Sequence, residues 1–510
     1  MMSSQEYIYT ITCRSRSDVH LTGDSRETFR EKCKCLLKTV KNVFRETTVE
    51  PCLFIYMLCT AISSLAVQNM HLEKACRVNF EYSDEICDRI ANRNTTGLEK
   101  ELVKIQSLVA KVMAWKFPLQ TAIPALMVLF VGAWSDKYKK RKICILLPFV
   151  GEIMVNIGLL CATYFFKELS LTATALIEAL PAALTGSYII IFMGMYSFMT
   201  DRTSEENRTF RLGLVTICVT VGTPTGTALS GILLRVAGYY GVFTLLLALY
   251  ILSFLYGLFR LEDILPNEEV RNSYVENDKR WKVLSQVFEL VGNTVLVALR
   301  PRAHGGRAQI FCVIFLYLLM VGPLYGDSQV AYLYVIRKFG FTEVEYSAYS
   351  TFNIVLGLFG TVFCISILIK KLHVQDSVVG ALAGVSRIAG CFMFAFAPTR
   401  PWFYMAPLLN IFSHTGLTAV RSIATKSVPP EEVAKLCALM GVTEAIAPSI
   451  YMPSTSYIYM STINNFPGAF YMFDAAMTVI AVGLFGLLYI LVKRRIAAAE
   501  KPPKKYVIRF

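Results

Sequence analysis

Apolar runs of about 20 residues recur along this chain, the length an α-helix needs to cross about 30 Å of hydrocarbon. They fall near 51–70, 117–135, 143–165, 172–200, 210–232, 238–259, 309–330, 348–369, 377–397, 401–425, 434–460 and 466–492. Of the 510 residues, 55% are hydrophobic and 17% charged, where a soluble domain carries about 25% charged residues. The expected fold is an all-α membrane protein with twelve transmembrane helices. An even number of crossings returns both termini to one side.

The loops say which side. Between the second and third runs lies Gly132-Ala133-Trp134-Ser135-Asp136-Lys137-Tyr138-Lys139-Lys140-Arg141-Lys142, with five cations in its last six residues. Such a segment must form a tight turn outside the hydrocarbon, on the face where basic loops gather. Segment 260–308, the link 370–376 with Lys370 and Lys371, and the tail 493–510 share its parity and are basic or mixed. Loops of the other parity, at 233–238, 398–400 and 461–465, are short and nearly uncharged. Both termini are therefore expected in the cytoplasm. The net charge of +14 belongs to this asymmetry, so the expected partner is a lipid bilayer and not nucleic acid. Residues 1–48 contain no apolar core for a cleaved signal peptide and read as a cytoplasmic tail.

One large loop, 71–116, lies on the opposite side. It holds Cys76 and Cys87 and the sequon Asn94-Thr95-Thr96. In an oxidising compartment the cysteines could close a local disulfide, or stay as two thiols. Asn94 is a glycosylation acceptor there, whereas the second sequon, at Asn207, falls in a cytoplasmic link. The other cysteines follow no metal spacing and sit mostly in apolar runs, so no metal or cofactor is expected. No nucleophile elbow, Walker loop or zinc-binding helix motif is present. These features exclude a recognisable enzyme or a nucleotide-driven pump.

Segment 260–308 divides the runs into an N-terminal bundle, 49–259, and a C-terminal bundle, 309–492. Within it Leu284, Val287, Phe288, Val291, Val295 and Leu299 recur at helical steps, as in an amphipathic helix lying on the cytoplasmic face. Two six-helix halves joined this way resemble the major facilitator superfamily. So does the turn after the second run, with Gly132, Asp136, Lys140 and Arg141 in place of that superfamily's gating signature. The resemblance implies that these residues latch the cytoplasmic side.

A closer resemblance is to solute carrier family 46, which includes the proton-coupled folate transporter. It rests on Val49-Glu50-Pro51, Gly132-Ala133-Trp134-Ser135-Asp136, Arg208-Thr209-Phe210-Arg211, Arg421-Ser422 with Lys426, Thr443-Glu444-Ala445, and Phe466-Pro467-Gly468-Ala469-Phe470. The family's pattern is broken at three places. Thr216 stands where the folate carrier has an acid in the fifth helix, Ser187 where it has an aspartate in the fourth, and the histidine of the seventh falls near Gly322. Arg421 is kept.

A charge near mid-membrane costs at least about 2.5–3.5 kcal/mol and so faces a cavity or a partner. Glu444 is about ten residues into the eleventh run and is expected on the central path as a proton or cation site, a structural hydrogen bond being the alternative. Asn410, His414 and Arg421 are expected on one face of the tenth run, as an anion site, unless Arg421 merely snorkels to the surface. Asp327, beside Tyr325 and Gln329, is a candidate substrate contact. Arg387 and Glu152 are read as packing pairs on helices outside the cavity, with Asp474 and Glu178 intermediate. Gly222-Thr223-Pro224-Thr225-Gly226 reads mainly as close helix packing.

The functional expectation is a secondary transporter working by alternating access on a small organic solute, an anion such as a folate, with protons. The plasma membrane is the expected site, with the lysosomal membrane as the alternative. A non-transporting receptor on the same fold, or a lysosomal exporter of sterol-like or peptide metabolites, are the other readings.

Overall fold

The computed structural model describes residues 48–203, 205–263, 306–428 and 430–499. The expected tails, 1–47 and 500–510, and the amphipathic helix of the linker lie outside these residues.

The chain builds α1 (Glu50–Lys74), continued as a π turn over Ala75–Asn79, and the short α2 (Asp84–Ala91). Then come α3 (Glu99–Tyr138), α4 (Arg141–Tyr164), α5 (Leu171–Thr185), α6 (Ser187–Arg202) and α7 (Glu205–Arg260). The second half holds α8 (Gly306–Phe339), α9 (Glu343–Phe363), α10 (Asp376–Phe396), α11 (Arg400–Leu409), α12 (Thr415–Ser427), α13 (Pro430–Thr462) and α14 (Ala469–Ala499). Local chemistry sets several starts. Pro51 occupies the first turn of α1, where its missing N–H costs nothing. Ser170 caps α5 by accepting from Ala173 N, and Thr342 with Glu345 forms a capping box on α9.

Nine helices among the described residues are long and apolar enough to cross a membrane, and they differ from the twelve runs for three physical reasons. The fifth and sixth runs are one element, α7, bent at Gly238 (φ 61°, ψ −172°). Its 56 residues would span roughly 80 Å if straight, far more than one crossing, so the bend makes two. The tenth run is split into α11 and α12. The eleventh, α13, carries Glu444 and many Ser, Thr, Tyr and Pro residues, which lower its hydropathy.

The expected loop 71–116 is mostly helix. What remains outside α1, its π turn and α3 is 80–98, with α2 inside it. Segment 99–116 is charged overall, but Leu102, Ile105, Val109 and Met113 recur at helical spacing and are buried. The turn expected to carry the gating signature is also shorter than expected. α3 runs to Tyr138, Lys139 takes a left-handed conformation (φ 54°), and α4 starts at Arg141. Gly132 and Asp136 therefore sit in the last turns of a helix.

Each half has its own core: Tyr56, Phe149, Phe243 and Tyr250 in the first, Tyr317, Val420 and Phe485 in the second. A third cluster joins Ile105 and Met113 of α3 to Leu333, Phe403, Tyr459 and Phe470 of the second half. Between halves, α3 packs on α13 and α7 on α9. Gly222 and Gly226 of α7 lie against backbone carbonyls of Phe54 and Leu58 in α1, a contact that any side chain would obstruct.

Candidate functional site

A cavity of about 980 Å³ lies between the halves, lined by α1, α3–α8, α12 and α13. Much of its wall is aromatic or apolar, including Phe117, Val155, Tyr188, Phe192, Tyr196 and Met452. Three polar stations interrupt that wall.

The first is in the second half. The Arg421 guanidinium donates to the Tyr317 hydroxyl (Nε 3.1 Å, Nη2 2.7 Å) and, through Nη2, to Glu444 Oε2 at 2.9 Å. The Tyr317 hydroxyl donates to the same carboxylate oxygen at 2.6 Å. Arg421 and Glu444 side chains are 57% and 36% exposed. An ion pair so wetted contributes only about 0–1 kcal/mol, so an incoming anion can compete for the arginine.

The second station is in the first half. Lys116 Nζ holds both oxygens of Glu178 at 2.8 and 2.9 Å, and His71 Nε2 lies 3.4 Å from that carboxylate. Lys116 and His71 are buried. At the third, the Tyr56 hydroxyl donates to Glu152 Oε1 at 3.3 Å. Beside it the fourth span breaks: Gly186 and Ser187 both have positive φ, 88° and 47°. Ser187 and Tyr188 line the cavity at that break, the kind of place where irregular backbone is tolerated at membrane depth.

Of the residues singled out from the sequence, Arg421 and Glu444 meet in the cavity, and Asp327, His414 and Asn410 are not in its lining. The expected common face of Asn410, His414 and Arg421 is not formed. Residues 410–414 leave the helix, and Ser386 of α10 spans the gap, its Oγ donating to Leu409 O at 2.5 Å and accepting from Phe412 N at 3.3 Å. Asn410 packs on Gly390 and His414 on Gly357. Asp327 is ion-paired with Arg387.

At the turn after α3, Arg141 donates to Asp201 Oδ2 and to Ser135 Oγ, both at 2.9 Å. Lys140 is exposed, its carbonyl accepting from Ser135 Oγ at 3.3 Å. The side chain of Asp136 lies outside the described residues. Asp201, at the end of α6, is a partner the sequence reading missed.

Glu152, read as a packing residue, faces the cavity, as do Glu178 and Lys116. Their signal was present as charges within or beside apolar runs; only the direction each faced was missing. Thr216 and Ser187, expected to stand where the resembling family has acids, also line the cavity. At Gly322 the Tyr451 ring occupies the space a side chain would need.

The face bearing the α3–α4 turn is here the basic face, and that bearing 80–98 the loop face. The halves are bolted together at the loop face. Arg93 donates to Glu343 Oε1 (2.5 Å), Phe341 O (2.9 Å) and Tyr332 Oη (3.0 Å). Tyr332 in turn donates to Asn69 Oδ1 at 3.1 Å, and Gln106 bridges Leu333 O and the Tyr459 hydroxyl, both at 3.0 Å. Toward the basic face, Thr216, Gly441 and Arg421 line the cavity and are exposed. The hydrogen bonds that join the halves thus lie on the loop face, and these exposed lining residues lie toward the basic face. Cys76 and Cys87 form a disulfide on the loop face, and Asn94 is exposed there.

The family profile described as Major Facilitator Superfamily matches residues 52–417. A "Probable peptidoglycan muropeptide transporter SLC46" of Drosophila melanogaster is 25% identical over 452 residues, covering 86% of this chain and 85% of the relative. The "Lysosomal proton-coupled steroid conjugate and bile acid symporter SLC46A3" of Gallus gallus is 23% identical, covering 86% and 92%. Among solved structures, a peptide transporter POT in complex with sulfate superposes with a TM-score of 0.55 at 12% identity, covering 88% of this chain and 95% of that one.

Proposed function

The chain belongs to the Major Facilitator Superfamily and is a secondary transporter of small organic solutes, and on that premise we propose that it carries an organic anion together with a proton through Arg421, Glu444 and Tyr317. The observation that carries this reading is the half-exposed Arg421–Glu444 pair inside the cavity.

With Glu444 ionised, the guanidinium is already engaged. A proton on Glu444 cancels the competing charge and frees the planar fork of Arg421 for a substrate carboxylate or sulfonate. Tyr317 holds both groups, so the exchange needs only a shift of hydrogen bonds. When substrate leaves, Arg421 recaptures Glu444 and the proton is expelled. Substrate and proton are thereby bound together, as symport requires. The aromatic wall suits a flat or ring-bearing body on that anion. The activity of the avian relative, proton-coupled symport of steroid conjugates and bile acids, is of this class.

The disulfide on the loop face supports an oxidising compartment there, and with it the reading of a cytoplasmic basic face and cytoplasmic termini. The structure then corresponds to an inward-open state, with the Arg93 cluster as the closed outer gate. The working location is the plasma membrane, with the lysosomal membrane as the alternative that cell fractionation would separate.

The test is uptake of a labelled folate and a labelled steroid conjugate by cells making the full chain, across external pH from about 5 to about 8. Wild type should take up at least one of them faster in acid. Glu444→Gln should flatten that pH profile, and Arg421→Ala should remove uptake. Saturable binding with no flux of either probe would favour a receptor and overturn the transport reading of this site.

A further inference from the structure

Behind the cavity wall of the second half, three charged side chains from three helices meet. Arg387 of α10 is ion-paired with Asp327 of α8, its Nη2 lies 3.7 Å from Asp474 Oδ2 of α14, and it donates to Pro323 O at 3.4 Å. The side chains are 9%, 14% and 0% exposed for Arg387, Asp327 and Asp474. Two carboxylates share one guanidinium, which leaves a surplus negative charge in a largely buried site. Both oxygens of Asp474 and Oδ1 of Asp327 are buried without a hydrogen-bond partner. Both carboxyls pair with the same nitrogen, Nη2 of Arg387, which makes them neighbours.

We propose that Asp327, Arg387 and Asp474 form a proton-binding site, separate from Arg421 and Glu444, in which the two carboxyls share one proton beside the guanidinium. A proton removes the surplus charge and, shared between the two carboxyls, engages two of the three orphaned oxygens in a hydrogen bond. A metal ion does neither so well. Among the described residues no three acidic, His or Cys groups converge to hold one, and Arg387 repels it. The other titratable groups facing the cluster are Cys391 of α10, Tyr349 of α9, His414 of α12's leading turn, Tyr451 of α13 and Tyr471 of α14. None of them brings a further acid, so the charge is settled between the two aspartates.

The site also has a place in the transport cycle, and this part rests on the function proposed above. Asp327 sits on α8 between Tyr325 and Gln329, which line the cavity, whereas α10 and α14 contribute nothing to that lining. With the proton bound, Arg387 belongs to Asp327 and α8 is tied to the scaffold. Without it, Asp474 draws on the same guanidinium and the tie loosens. Proton occupancy thus biases the helix that carries Tyr317.

The existence of the site is tested without flux. Full-length protein labelled with carboxyl-13C aspartate is purified and its infrared spectrum followed from about pH 5 to about pH 8. The expected result is a protonated-carboxyl band that moves with the aspartate label, loses amplitude as pH rises, and disappears in Asp474→Asn while persisting in Glu444→Gln. The labelled wild-type spectrum decides even where Asp474→Asn fails to fold. No aspartate band at any pH, or a band that survives Asp474→Asn, overturns the proposal. A band present in a protein that moves no anion sinks the transport reading instead, and proton-driven flux with no band sinks this site alone.

Discussion

Removing the side chain of Arg93 should unlock the loop face. Arg93 belongs to 80–98, yet three of its hydrogen bonds run to Glu343, Phe341 and Tyr332 of the second half, beside a longer one to Asn69 of α1. The guanidinium and Glu343 are 7% and 20% exposed, so the pair is worth more than a surface bridge. Breaking a fully buried pair costs about 3–5 kcal/mol. Here Glu343 regains water when the gate opens, so about 2 kcal/mol is a reasonable share, near that of one charged hydrogen bond. At about 1.4 kcal/mol per factor of ten, Arg93→Ala should raise the open-gate population about 30-fold. Hydrogen exchange of amides in 330–345 reads that population, because exchange follows local opening. Glu343→Gln, which weakens only one of the Arg93 contacts, should act in the same direction but less, and the double variant should add little to Arg93→Ala, since both remove the Arg93–Glu343 pair. Unchanged exchange in Arg93→Ala, or fully additive effects, would refute the latch.

Gly226→Ala places a methyl against Leu58 O and should lower stability by about 1–3 kcal/mol, whereas Gly213→Ala, with nothing near its added carbon, should be neutral or slightly stabilising; thermal melts in detergent compare them. Lys116→Met strands Glu178 beside His71 and should cost about 3 kcal/mol, much of it recovered in Lys116→Met/Glu178→Gln. Asn94→Gln should remove a glycan seen as a mobility shift on gels, and Asn207→Gln should not.

How much of this was legible beforehand follows from what each signal depends on. Membrane spans are written in composition, so the runs could be marked from hydropathy alone. The helical extension 99–116 was not, because its lysines and glutamates hide a narrow apolar stripe whose partner, α13, lies more than 300 residues away in sequence. The bend at Gly238 and the break at 410–414 depend on a neighbour: the break is stitched by Ser386 from another helix. For the site, depth along a helix could be counted, which singled out Glu444 and Arg421. Azimuth could not. Glu152, Arg387 and Asp327 have similar sequence signals, yet Glu152 faces the cavity and the other two pair behind it.

The central claim is that Glu444 trades its proton against substrate for Arg421. Purified full-length protein in sealed vesicles, given a labelled anion and an imposed proton gradient, tests it most directly. The account predicts concentrative, gradient-driven uptake by wild type, and Glu444→Gln vesicles whose uptake no longer responds to the gradient. Accumulation that ignores the gradient in wild type, or follows it equally in Glu444→Gln, would contradict the account.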